Sequence, residues 1–195
     1  MNRSCLFLIA LLYAGTAACG SDPRSSLVGK WQIADDAELG RDAVTLSFRK
    51  ETDTDYLLTL SYSLHPNGSL TIEKGRDHAV CCFGGIDRHL VDHRWQAQLP
   101  RNRQILIRRM LARLRPRTLS KDFPFALPRG CSFTNDSRSW AGVSFVQGNV
   151  GGLFLFQPGC SGPGADNAKH LVRSVIAMLP SVDGSTGFLE PPHHD

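Results

Sequence analysis

The stretch YLLTLSYSLHPNGSLTI, residues 56–72, decides the fold. Tyr56, Leu58, Leu60, Tyr62 and Leu64 recur at every second position. Successive side chains of a strand point to opposite faces, so these five line one face of a half-buried strand. His65-Pro66-Asn67-Gly68 follows, and Asn-Gly supplies the positive φ angles that a tight hairpin turn requires. Leu70 and Ile72 then continue as the returning strand. An antiparallel hairpin is therefore the seed of the domain.

Working outward, Val44, Leu46 and Phe48 repeat the same period, which adds a strand before the hairpin. After it, Arg88 to Leu99 and Gln104 to Arg109 read as a further pair joined by Pro100-Arg101-Asn102-Arg103. Residues 103–115 are ambiguous. Ile105, Ile107, Met110, Leu111 and Leu114 fit a helix nearly as well as a strand, and the expectation is a strand followed by an irregular turn. Pro116, Pro124 and Pro128 mark a loop-rich connection. Trp140 to Val146 and Gly152 to Phe156 then read as two strands around Gln147-Gly148-Asn149-Val150-Gly151. The last element is a helix. Gly162-Pro163-Gly164 breaks the chain, Asp166 or Asn167 caps the exposed amides, and Leu171, Val172, Val175, Ile176 and Leu179 form one apolar stripe that Pro180 ends. The fold class expected is mainly β or α+β: a single antiparallel sheet or partly closed barrel with one C-terminal helix. One domain spans residues 27–180, and residues 181–195 form a loose tail.

The N-terminus carries an address. Arg3 precedes the apolar run CLFLIALLYA, residues 5–14, which makes only about 15 Å of helix, roughly half of a bilayer span. It is a signal segment of residues 1–18, cut where Gly15, Thr16, Ala17 and Ala18 leave room for a peptidase. Small residues followed by Cys19 resemble the lipobox of bacterial lipoproteins. The resemblance implies cleavage before Cys19, acylation of its sulfur, and a tether over residues 19–26. Gly20, rather than Asp, is similar to the outer-membrane sorting pattern of enteric lipoproteins. The expected location is the cell envelope, at the outer membrane facing the periplasm. Ordinary cleavage, leaving a soluble periplasmic protein, is the alternative. Further on, Leu27-Val28-Gly29-Lys30-Trp31 resembles the Gly-x-Trp opening of lipocalin-like domains, which would imply a barrel carrying a small apolar ligand.

Cysteine usage agrees with export. Cys81, Cys82, Cys131 and Cys160 remain beside Cys19 in the mature chain, and an oxidising compartment pairs thiols. A bridge between vicinal Cys81 and Cys82 is strained. That leaves two bridges joining them crosswise to Cys131 and Cys160, or one Cys131–Cys160 bridge. The latter would stabilise by about 3–4 kcal/mol in the chain-entropy model.

Charge is unevenly distributed. The chain holds 22 basic and 18 acidic residues. Eight arginines fall between Arg94 and Arg117 with no acid among them, so the remainder is net acidic. Guanidinium groups pair with phosphates and carboxylates and keep their charge at any relevant pH. Arg101, Arg103, Arg108, Arg109 and Arg113 are therefore candidates for an anion or partner surface. Lipopolysaccharide, acidic lipid, cell-wall polymer or an acidic protein would be the partner, with nucleic acid excluded by location.

Catalytic signals are weak. His89 and His93, four residues apart, share a face on either regular structure and are the candidates for a metal, but no third ligand has diagnostic spacing. Gly159-Cys160-Ser161-Gly162-Pro163 departs from a nucleophile elbow at Pro163. Neither a phosphate-binding loop nor a dinucleotide glycine pattern is present. The expectation is a non-enzymatic, cofactor-free binding, inhibitor or structural lipoprotein. An apolar-ligand carrier and an envelope hydrolase or metal enzyme are the alternatives.

Overall fold

The computed structural model describes residues 40–189 except 53–54, 80–85, 117, 133–138 and 184–185. The signal segment, Cys19, the opening strand with Trp31, and Cys81 and Cys82 lie outside the described residues.

The hairpin forms as its alternation predicts. β1 (Ala43–Glu51), β2 (Tyr56–Leu64), β3 (Ser69–Ala79) and β4 (Ile86–Gln98) make an antiparallel meander. Gly68 turns it at φ 84°, and a Cβ there would also strike the side chain of Gln104. The turn demands glycine for its conformation, and the end of the flexible Gln104 side chain fills the space that a Cβ would take. Two helical elements follow: α1 (Arg101–Leu111) and a 3-10 turn over Ala112–Leu114. Then come the short β5 (Phe125–Ala126), the hairpin of β6 (Trp140–Gln147) and β7 (Val150–Phe156), and α2 (Pro163–Ile176).

The seven strands form one sheet in the order β4-β3-β2-β1-β6-β7-β5. β6 returns to pair with β1 on the side away from β2, so the first and second hairpins join edge to edge. β5 lies parallel to β7, so the sheet is mixed. Among the described residues, β4 and β5 are its edges and the sheet does not close into a barrel.

One face is apolar. Cross-strand partners Val44, Leu64, Leu70 and Phe145 form one row, and Leu46, Tyr62, Ile72 and Val143 the next, all of them buried. α1 and α2 lie together on this face, and Ile107, Leu111, Leu171, Val172 and Val175 join the sheet residues in a single core. Burying each such side chain is worth about 1.5–3 kcal/mol, which explains why both helices dock here.

Three expectations are corrected. Residues 101–111 are helix, not strand: the positions that reach the core, Ile107, Leu111 and Leu114, are spaced four and three apart, while Ile105 and Leu106 face solvent. Packing on α2 and the sheet resolves the ambiguity of the sequence toward the helical period. α2 also begins earlier than expected, with Pro163 in its first turn after Gly162 at φ 122°; Asp166 sits within the first turn, its amide donating to the Gly162 carbonyl. Finally, the end of the chain is not loose throughout. Thr186–Leu189 form a 3-10 turn that buries Phe188 and Leu189, and the Phe188 ring lies 6.0 Å from that of Phe48.

Candidate functional site

The arginine run splits by burial. α1 has no acid in its first turn and carries Arg108 and Arg109 in its last. Arg101, Arg103, Arg109 and Arg113 are exposed, and between them Ile105 and Leu106 remain 43% and 50% accessible. The surface they form is cationic with an aliphatic centre.

Arg108 is removed from the candidate set. Its side chain is buried, with Nη1 donating to the Asp42 carbonyl at 2.7 Å and Nη2 to the His65 carbonyl at 2.8 Å. Burial pushes its guanidinium below the ordinary arginine value, while the charge of Asp42 opposes that shift. Arg115 is buried as well. It pairs through Nε and Nη2 with the Asp42 carboxylate and through Nη1 with the Pro116 carbonyl at 2.9 Å. A planar fork with five donors suits this task, and these two arginines tie α1 and its exit to the start of β1. Arg94 is spent on Glu73 across the β3–β4 pair, at 2.6 Å.

The other side of the sheet is a second candidate, built by residues between the core positions. Thr45, Ser47 and Arg49 of β1 stand beside Ser63, Ser61 and Thr59 of β2. Thr71, Glu73 and Gly75 of β3 continue these rows, and Asp77 lies one row further on, opposite Leu57. The result is a hollow of about 490 Å³, floored by hydroxyl groups and bounded by His89, Val91, Ile86 and Trp140. It falls within the range of small-molecule sites.

At one end of the hollow Asp77 is only 3% exposed. Arg49 Nη2 donates to its Oδ2 at 2.7 Å, and His89 Nδ1 lies 2.5 Å from its Oδ1. The Arg49 guanidinium also lies over Trp140, 5.2 Å from the ring centroid. Arg49 Nε is buried with no partner among the described residues. That orphan donor costs about 1–3 kcal/mol, so the pose is held by the carboxylate and the indole together.

His89 and His93 do not share a face, contrary to the sequence expectation. β4 is bulged: Lys74 pairs with His93 but Gly75 pairs with Val91, leaving Asp92 as the extra residue. The bulge reverses the alternation beyond it. His89 consequently borders the hollow, while His93 stacks on Trp95, at 5.4 Å, beside Val182 and Asp183. Gly75 permits the bulge, since a Cβ there would come within 2.2 Å of the Leu90 carbonyl oxygen. Asp92 itself answers to Arg76 at 2.8 Å, and that hydrogen bond and charge hold its carboxyl below the usual range. Among the described residues, no three histidine, cysteine or acidic side chains gather as a metal site.

Cys131 and Cys160 form a disulfide with Cα atoms 6.0 Å apart. Both are thereby withdrawn from crosswise pairing with Cys81 and Cys82. Ser161, exposed, lies between the bridged Cys160 and the bend at Gly162 that opens α2, so the elbow-like segment is a helix entry.

Asp77, Arg49 and Trp140 are missing from the sequence-derived candidates. Their only trace is the polar half of an alternating pattern, which is common to every strand with a solvent face. No protein-family model matches the chain, and no curated protein matches its sequence. Among the described residues, no helix is long and apolar enough to cross a membrane.

Proposed function

We propose that this protein is a non-enzymatic binding module of the bacterial envelope, anchored through acylated Cys19, whose α1 face rests on phosphate-bearing lipid headgroups. The observation that carries the proposal is the composition of that face: Arg101, Arg103, Arg109 and Arg113 around exposed Ile105 and Leu106, on a helix without acids. Arginines complement phosphates, and an adjacent aliphatic pair adds what a soluble acidic polymer would not reward. Near an anionic surface each arginine contributes about 1 kcal/mol, less as salt rises. The contact would orient the domain after the lipid anchor has delivered it. An interior carrier of apolar ligands is disfavoured, since the space between sheet and helices is filled by Leu46, Tyr62, Phe145, Phe154 and their neighbours.

Two measurements test this. The anchor is checked by intact mass and membrane fractionation of wild type against Cys19→Ala; an acylated N-terminus, with membrane association weakened in the variant, is expected. The face is checked by flotation of the unacylated Cys19→Ser mature chain with phosphatidylglycerol or phosphatidylcholine vesicles. Binding to the anionic vesicles only, at least tenfold weaker after replacing Arg101, Arg103, Arg109 and Arg113 by Gln, is the expected result. Equal binding by that variant would sink the assignment of the face.

A further inference from the structure

We infer that the hollow on the open face of the sheet is a binding site for a neutral saccharide of one or two rings. It is a separate site from the α1 face and stands on different residues.

Charge comes first. Of the charged residues that line the hollow, Arg49 pairs with Asp77 and Glu73 with Arg94, while Lys74 turns its Nζ to the Asp183 carbonyl, 3.2 Å away, on the side of His93 and Trp95. A site for an anion or a cation leaves charge of the opposite sign in excess, and here the two pairs cancel. What remains available is a field of hydroxyl groups from Ser47, Thr59 and Ser61, contributed by adjacent strands about 4.8 Å apart. A hydroxyl both donates and accepts, and it rotates to suit its partner. Such a floor is matched by a ligand that is itself a set of hydroxyls.

The walls add the second requirement of a sugar, a surface for its C–H face. Ile86 and Val91 border the hollow while remaining 40% and 41% exposed, and Trp140 stands at the opposite strand. An aromatic or aliphatic wall beside a polar floor suits a ring that is polar at its rim and apolar on its face. His89 supplies direction. Its Nδ1 is turned to the Asp77 carboxylate, so in the neutral imidazole the proton lies on Nδ1 and Nε2 accepts a ligand hydroxyl. Half of the His89 side chain is exposed, whereas Asp77 is almost wholly covered. Asp77 is therefore a positioning residue, and His89 makes the contact.

The volume of about 490 Å³ sets the size: one or two pyranose rings, not a long chain enclosed along its length. Gly75 borders the hollow in the row between Thr59 and Val91, where a Cβ would meet the Leu90 carbonyl oxygen of the bulged β4 at 2.2 Å.

The test is an NMR titration of the isotope-labelled, unacylated Cys19→Ser mature chain with maltose, cellobiose and diacetylchitobiose, and with methyl phosphate as the anionic comparator. Saturable shifts at Ser47, Ser61, His89 and Val91 with at least one disaccharide, at millimolar or lower concentration, are expected. Ser47→Val with Ser61→Val should weaken that binding at least tenfold while the spectrum stays dispersed. The α1 glutamine variant should bind the sugar as wild type does. No shifts with any of the three sugars, or tighter binding of methyl phosphate than of every sugar, overturns the proposal. The mapping of shifts in the wild type decides the matter even if the double variant misfolds.

Discussion

The two faces of this sheet are made from alternate residues of the same strands, yet they behave as different materials. Val44, Leu46 and Phe48 vanish beneath α1, α2 and the 186–189 turn, while Thr45, Ser47 and Arg49 line an open hollow. On the covered face, a side chain is chosen for volume, and errors are costly because packed atoms relax only partly. The open face tolerates changes of volume, and its residues are selected by what they can hydrogen-bond. Packing and the proposed sugar site are thereby placed on opposite sides of one layer, and altering one need not damage the other.

That separation is most directly broken by paired substitutions in neighbouring positions. Phe145→Ala, on the covered face, should lower unfolding stability in urea by about 3–5 kcal/mol. Ser144→Ala, one residue earlier on the open face, should stay within about 0.5 kcal/mol. Similar losses from the two would show that the open face is structural after all. The arginines repeat the contrast along a single segment. Arg115→Ala strands the buried Asp42 carboxylate and should cost about 3–5 kcal/mol, whereas exposed Arg113→Ala should cost under about 0.5 kcal/mol. Thermal unfolding of the two variants side by side would measure the difference.

Covalent cross-linking comes next in size. Replacing Cys131 and Cys160 by Ala should destabilise the protein by about 2–4 kcal/mol, read from denaturant midpoints under non-reducing conditions. The exposed ion pair at the β4 bulge is the smallest effect. The Asp92 carboxyl is held low in the folded state by its hydrogen bond to Arg76 and by the charge of that residue. Its contribution is accordingly present above the ordinary carboxylate range and disappears as pH falls through the depressed folded value. Carboxyl NMR should find Asp92 titrating below the ordinary value of about 3.9, and Arg76→Gln should return it toward that value.

Sequence reasoning succeeded where local chemistry and burial agree. The β2–β3 hairpin was legible because Asn67-Gly68 admits few alternatives to a turn and because Leu60, Tyr62, Leu64, Leu70 and Ile72 alternate without interruption. The β6–β7 hairpin and α2 were legible for the same reason. α1 was not, because Ile105 and Leu106 break the helical stripe with exposed apolar residues, and only contact with the core separates them from Ile107 and Leu111. Arg108 was misassigned by a related route. An arginine in a basic run looks like its neighbours until backbone carbonyls from Asp42 and His65 surround it. His89 and His93 were placed on one face by a rule that holds for regular strands, and one extra residue at Asp92 cancels it.

What the sequence by itself determined, then, is the set of local preferences: where the chain alternates, where it turns, and the N-terminal pattern that resembles an export signal. These follow from residues within a few positions of one another, so physical chemistry acts on them before any tertiary contact exists. The tertiary structure alone decided that β6 pairs with β1, that Cys131 meets Cys160, that two of the arginines turn inward, and that Asp77 collects Arg49 and His89 at one end of a hydroxyl floor. Each depends on groups many residues apart, brought together by the burial of an apolar face to which the open face contributes nothing.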